Sequence, residues 1–302
     1  MPDLKKGIMW VRLLMTGLMI FGAVWATCGQ GYVDQEAVAP LLESQGSTAS
    51  VRAVTWHRYN IGKAGRTGKA MLERLQAHID SLPGDRTEQR MEIVELSNRV
   101  RTKYMMQRGS LLIPDSFPQD FRAYTPYPME YPGAAELPRL FIIDKYTQTF
   151  AAYEHGQLVR WGLACSGRND NQTPAGRYSF NWKDEYREST EAPPGEVWKM
   201  RWVVNVYDGI HVHQYQLPIA SPSSHGCIRI SESDAFWNFN WAESSKMQGG
   251  KLVRGTPVLI INHNPAGLAA HWSEEGASLV NLPDDPMSIP FGPARGTTVA
   301  RE

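Results

Sequence analysis

Leu140-Phe141-Ile142-Ile143-Asp144-Lys145-Tyr146-Thr147-Gln148-Thr149-Phe150-Ala151-Ala152-Tyr153-Glu154-His155-Gly156 reads as two strands separated by a turn, with a second turn at its end. The run 140–143 is apolar without interruption, the pattern of a strand buried on both faces. Asp144-Lys145 opens a turn, 147–153 is rich in β-branched and aromatic residues, and Glu154-His155-Gly156 is a hairpin signal. The same texture continues downstream. Strands are expected over 158–165, 177–182, 198–207, 210–213 and 258–261, with Thr173-Pro174-Ala175-Gly176 as a turn. One helix is expected over 231–241, with Ser231 as its cap. Many short strands at hairpin spacing predict a mainly β domain over 138–263, a small sandwich or barrel-like unit.

Upstream the pattern changes. Ala70, Leu72, Leu75, Ile79 and Leu82 recur at helical spacing until Pro83-Gly84-Asp85 breaks them. Ile93, Leu96 and Val100 resume the period, with Thr87 as the expected N-cap. After Arg108-Gly109-Ser110 comes a short apolar strand, Leu111-Leu112-Ile113-Pro114. A helix followed by Gly-x-Leu-x-Ile-Pro resembles the tail of a LysM-type glycan-binding repeat; a plain helical spacer is the alternative. Tyr124, Pro126, Tyr127, Pro128, Tyr131 and Pro132 crowd one stretch, where proline removes backbone donors and predicts an irregular connector. A small, mainly α region over 66–137 is thus expected ahead of the β domain. Residues 31–65 read as a linker and 264–302 as a flexible tail.

The chain has 302 residues, with 31 basic and 31 acidic side chains. That balance carries no electrostatic footprint for nucleic acid. Lys5, Lys6 and Arg12 precede an apolar run, 13–26, shorter than the ~20 residues of a comfortable membrane span. With Val24-Trp25-Ala26 after it, residues 1–30 read as a signal peptide or an N-terminal membrane anchor. Cys28 just beyond is a candidate lipidation site. An exported, periplasmic or envelope location follows, with membrane contact only through this segment. Cys165 is expected to pack as a small apolar residue on a strand.

Two segments concentrate reactive groups: Gly209-Ile210-His211-Val212-His213 and Ser223-Ser224-His225-Gly226-Cys227-Ile228-Arg229. A cysteine at a glycine bend exposes its sulfur. A helix start nearby favours negative charge, and a nearby imidazole can take the thiol proton. His211 and His213 share one strand face by the period of two. On spacing alone, His211, His213, His225 and Cys227 are also residue types that suit zinc.

Ser224-His225-Gly226-Cys227-Ile228-Arg229, with the His strand upstream, resembles the L,D-transpeptidase (YkuD-type) family. The resemblance includes Asp144-Lys145-x-Thr-Gln-Thr, Thr173-Pro174-Ala175-Gly176 and Gly255-Thr256-Pro257-Val258, in the family's order. It implies an L,D-transpeptidase fold and a cysteine-nucleophile acyltransferase that acts on peptidoglycan stem peptides in wall biogenesis, is sensitive to carbapenems, and needs no cofactor or metal. Cys227 would attack the L,D-peptide bond of a stem tetrapeptide and expel D-Ala. An amine of a second stem, or a wall-linked protein, would resolve the thioester. His213 would be the base, with His211 as runner-up; Gln214 departs from the small residue usual in the family after the base. Arg229 would engage a substrate carboxylate or brace the site by an internal ion pair. Ser224, His225, Gly226 and Tyr215 would support the loop or line the groove. The alternatives are an L,D-carboxypeptidase with water as acceptor, a non-catalytic wall-binding protein, and the zinc site.

Overall fold

The computed structural model describes residues 31–46, 51–62, 68–263 and 280–293. In chain order its elements are α1 (Gln35–Glu43), β1 (Trp56–Asn60), α2 (Gly68–Ser81), α3 (Arg90–Asn98), α4 (Thr102–Met105), β2 (Ser110–Pro114), β3 (Leu140–Asp144), β4 (Thr149–Glu154) and β5 (Gln157–Leu163). Then follow β6 (Gly176–Ser179), β7 (Lys183–Glu188), β8 (Lys199–Tyr207), β9 (Ile210–Gln214), β10 (Ile228–Ile230), α5 (Glu232–Trp241), β11 (Lys246–Gln248), β12 (Lys251–Val253), β13 (Pro257–Ile261) and β14 (Gly292–Pro293).

Two sheets make the β domain. One has the order β14-β6-β13-β3-β4-β5, with β13 and β3 parallel; the other has the order β10-β9-β8-β7, with β10 and β9 parallel. Alternation on β3 and β4 divides the hydrophobic core in two. Phe141, Ile143, Phe150 and Ala152 face the second sheet, packing with Val204, Val212, Ile228 and Ile230. Leu140, Ile142, Ala151 and Tyr153 face the other way, into a core shared with Leu75, Ile79, Ile93 and Phe121 of the N-terminal region. The six-stranded sheet is therefore covered on both faces, which explains its uninterrupted apolar strands. The mainly β architecture with a small helical region before it matches the expectation.

The expected linker, 31–65, instead carries structure. Asp34 caps α1 by accepting from the Ala37 N–H, and Val38, Leu41 and Leu42 are buried. The Gln35 side chain bridges the β domain, donating to the Tyr215 carbonyl at 2.8 Å and accepting from the Glu232 N–H at 2.9 Å. Among the described residues the connector after β2 holds no α-helix or strand, only two short 3-10 turns (Phe121–Tyr124 and Pro132–Ala134), and it is packed into the core. Phe117, Phe121, Tyr124, Tyr127 and Tyr131 are buried in it. Trp161 of β5 stacks on Phe121 with centroids 4.5 Å apart, and its indole N–H donates to the Phe121 carbonyl at 3.1 Å. Trp161→Ala should cost about 3–5 kcal/mol. Urea unfolding checks this, and a loss below about 1 kcal/mol would contradict the shared core.

Three further expectations change. Thr87 does not cap α3; Gln89 stands at that position, with φ 58° and no side-chain bond. β1 and β2 pair antiparallel around α2 and α3, tied by a side-chain chain in which His57 Nδ1 lies 2.6 Å from Asp115 and His57 Nε2 2.9 Å from His78 Nε2. Within the expected tail, β14 pairs with β6 and buried Val280 donates its N–H to the Pro126 carbonyl at 3.3 Å. Residues 264–279 and 294–302 lie outside the described residues, as do 1–30 with the export signal and Cys28. Among the described residues no helix is long and apolar enough to cross a membrane.

Candidate active site

The site is built on β9 and β10. Their parallel register sets Val212 beside Ile228 and His213 beside Arg229, which puts Cys227 next to His211. Val212, Ile228 and Ile230 point into the core. Alternation then sends His211, His213, Cys227 and Arg229 to the opposite face. There they line a groove of about 750 Å³ with Trp182, Arg187, Trp198 and Tyr215.

The bend before Cys227 is locked by hydrogen bonds. Gly226 has φ 115°, and a Cβ there would lie 2.9 Å from Ile210 Cδ1, so glycine is required. Ser224 Oγ accepts from the Gly226 N–H at 3.1 Å and donates to the Cys227 carbonyl at 2.5 Å. Thr173, fully buried, donates to the Gly226 carbonyl at 2.7 Å and accepts from the Gly167 N–H at 2.9 Å. The Thr-Pro-Ala-Gly turn thus clamps the cysteine loop. Cys165 is a free, buried thiol just past the end of β5, exchanging backbone bonds with Arg229 at 2.8 and 2.9 Å. It does not pair with Cys227.

The Cys227 thiol donates to the Gly209 carbonyl at 3.4 Å. Burial is the main cause that pushes its pKa up to about 11, against opposing pulls from the His211 backbone N–H and from Arg229. The sulfur is therefore a neutral thiol at rest, not the partly ionised one expected. α5 does not alter this. Ser231 caps it as expected, accepting from the Asp234 N–H at 3.1 Å, but β10 separates that helix end from Cys227. Alkylation of Cys227 should accordingly be slow at pH 7 and rise about tenfold per pH unit towards pH 11. Peptide mapping after iodoacetamide pulses checks this; a rate levelling off near pH 8 would contradict it.

Both strand imidazoles are buried, His211 at 8% and His213 at 4% exposure, and burial is the main cause that lowers each pKa to about 4. They are neutral at pH 7 and differ in tautomer. His213 Nδ1 lies 2.9 Å from the Gln214 carbonyl, which can only accept, so Nδ1 carries the proton and Nε2 the lone pair. Gln214, which departs from the family pattern, thus orients the ring through its backbone. His211 Nδ1 lies 3.1 Å from the Asn205 side-chain Nδ2, a donor.

Arg229 lies over the Tyr215 ring, 4.7 Å from the centroid, and forms no ion pair among the described residues. Its fork is open to the groove. His225 forms no hydrogen bond among the described residues; it stacks on Trp198 at 5.3 Å, which attaches the cysteine loop to the segment between β7 and β8. His211, His213, His225 and Cys227 are not arranged as a metal-binding group. Trp182, Arg187, Trp198 and Asn205 are groove or support residues that no motif marks. The 10 tryptophans of the sequence are a hint of aromatic groove walls for Trp182 and Trp198 alone.

Residues 138–260 match the model of the family described as L,D-transpeptidase catalytic domain. A search of curated proteins returned no match. Similar solved structures include an L,D-transpeptidase from Mycobacterium smegmatis (22% identity, 41% of this chain and 59% of that one, TM-score 0.34). Another is an L,D-transpeptidase from Stackebrandtia nassauensis (15% identity, 76% and 92%, TM-score 0.37). A third is the catalytic domain of the E. faecium L,D-transpeptidase (21% identity, 40% and 95%, TM-score 0.30). The chain spans less than two thirds of the M. smegmatis protein's length.

Proposed function

Taking residues 138–260 as an L,D-transpeptidase catalytic domain, we propose that this chain is a cysteine-nucleophile L,D-transpeptidase of peptidoglycan with Cys227 as nucleophile and His213 as base. The observation that carries this reading is the placement of a reduced cysteine beside a strand whose second imidazole offers a lone pair to the same groove. In ideal strand geometry, positions 227 and 213 are diagonal neighbours roughly 8 Å apart by Cα, a span that a thiol and an imidazole bridge. In this reading, rotation about Cα–Cβ would move the thiol from the Gly209 carbonyl towards the His213 ring.

In the reaction, His213 Nε2 takes the thiol proton as sulfur adds to the carbonyl carbon of the stem's L,D-bond. The C–N bond breaks, and the proton passes from His213 to the departing D-Ala amine. A thioester on Cys227 remains. An acceptor amine then gives a proton to His213, attacks the thioester and releases the sulfur, which recovers that proton. Because thiol and imidazole rest neutral, the transfer is coupled to substrate binding, which excludes water and places the carbonyl.

Arg229, unpaired and held against Tyr215, suits a carboxylate of the stem through its planar fork. Arg229→Met should raise KM about 10- to 100-fold with kcat little changed. Steady-state kinetics check this, and an unchanged KM would remove the role. Ser224, Gly226 and Thr173 hold the loop, and His225 fixes it to Trp198. Export through the N-terminal segment would bring the site to its substrate, and the unit from β1 to β2, with α2, α3 and α4 between them, is the part that a glycan-binding role would use.

Incubating the chain with disaccharide-tetrapeptide tests the reading. D-Ala release with a cross-linked dimer supports transpeptidation, and release with tripeptide alone makes water the acceptor. Absence of both, with Cys227 reduced, overturns the assignment.

A further inference from the structure

We propose that His211 is a catalytic hydrogen-bond donor, its Nε2–H directed at the carbonyl oxygen of the bond under attack, where negative charge develops. The inference rests on the transpeptidase reading above and assigns to the two strand imidazoles opposite duties at one carbonyl.

The argument runs through Asn205. This side chain is buried, and its Nδ2 lies 2.7 Å from the Asp208 carbonyl and 3.4 Å from the Ile210 carbonyl. Its Oδ1 accepts from Asn181 Nδ2 at 2.8 Å, and that same nitrogen donates to the Val206 carbonyl at 2.9 Å. Each amide is oriented by groups that can play only one part, so neither can be flipped. Backbone bonds of 2.9 Å, from Asn181 N to the Asn205 carbonyl and from Asn205 N to the Trp182 carbonyl, hold the pair in place. Of the two amide hydrogens, one serves the Asp208 carbonyl; the other faces His211 Nδ1 at 3.1 Å, nearer than the Ile210 carbonyl, and because an amide nitrogen cannot accept, Nδ1 takes the acceptor part. The ring is neutral at pH 7, because burial and then Arg187 lower its pKa to about 4. A neutral ring that accepts at Nδ1 carries its proton on Nε2.

That Nε2 has no partner among the described residues, and it is not among the polar atoms sealed from solvent. Its residue lines the groove. The strand register places it beside Cys227, and its own backbone N–H already faces the sulfur. A carbonyl carbon bonded to Sγ would set its oxygen within the reach of a ring from the adjacent strand position. When the thiolate adds, the C=O pair moves to oxygen, and the Nε2–H hydrogen bond strengthens as that charge grows. When the tetrahedral intermediate collapses, the pair returns and D-Ala leaves with the proton held by His213. No proton leaves His211. A donor aimed at the oxyanion acts mainly on the transition state, so it changes kcat more than KM.

The test compares wild type, His211→Leu and His211→Gln in D-Ala release by the full chain, with the ring tautomers read by long-range 1H–15N correlation. Wild-type release tests the transpeptidase reading itself. Given that release, His211→Leu should lower kcat about 10²- to 10³-fold with KM within about threefold, and His211→Gln, which keeps an N–H, should recover at least about tenfold. Wild-type spectra should show Nε2–H at His211 and Nδ1–H at His213. A kcat for His211→Leu within about threefold of wild type, equal loss in Leu and Gln variants, or an Nδ1–H tautomer at His211 would overturn the proposal. The spectral result decides if the Leu variant does not fold.

Discussion

Cys227→Ala is expected to lower D-Ala release about 10⁴-fold or more, with the fold unchanged by circular dichroism. The size follows from losing a covalent route: without sulfur no thioester forms, and what remains is groove binding and donors that stabilise charge without a nucleophile. The substitution costs little stability, since the side chain is partly open to the groove and, among the described residues, its polar contacts are sulfur contacts with the Gly209 carbonyl and the His211 backbone N–H. Cys227→Ser should be nearly as inactive. A serine hydroxyl is a far weaker acid than the thiol, and the imidazole that would deprotonate it has a pKa of only about 4. Release assays with each variant check both, and activity above about one per cent of wild type in either would place the nucleophile elsewhere.

His213→Ala is expected to lower kcat/KM about 10²- to 10⁴-fold, the range for removal of a positioned general base. The pH profile separates this role from a structural one. The ring can accept a proton only while neutral, so activity should fall as pH drops through about 4 and stay flat from there through neutrality. His213→Ala should abolish that acid limb along with most of the rate. A wild-type limb near pH 6.5 would show an imidazole that is not buried and neutral. The stability sign agrees. The ring takes up protons less readily in the folded chain than in the unfolded one, so its contribution is present above pH 6.5 and is lost as pH falls towards 4.

The sequence makes the site's frame readable where chemistry and periodicity coincide. Gly226 announces a bend, and the structure shows φ 115° with Ile210 against the missing Cβ. The period of two puts His211 and His213 on one face, and their strand does lie against Cys227. Apolar runs such as Leu140-Phe141-Ile142-Ile143 reveal strands covered on both sides. What stays hidden depends on tertiary contact. β7, with sequence Lys-Asp-Glu-Tyr-Arg-Glu, has no apolar pattern, because it is an edge strand whose charges face solvent. α1 hides in a small, polar stretch because only Val38, Leu41 and Leu42 need be apolar to dock it. The ionisation of Cys227 is likewise unreadable: burial raises its pKa against the opposing pulls of the His211 backbone N–H and Arg229, and the helix start that the sequence offers as a further pull begins beyond another strand. The imidazole tautomers depend on Asn205 and on the Gln214 carbonyl, and neither belongs to a motif.

The most direct measurement is the mass of the Cys227 peptide after the full chain is mixed with disaccharide-tetrapeptide and quenched in acid. The account predicts a thioester there with the mass of the stem peptide less D-Ala, lost on adding hydroxylamine and not formed in His213→Ala over the same interval. Release of D-Ala with no adduct on Cys227 at any time of quenching, or an adduct that forms equally fast without His213, would contradict it.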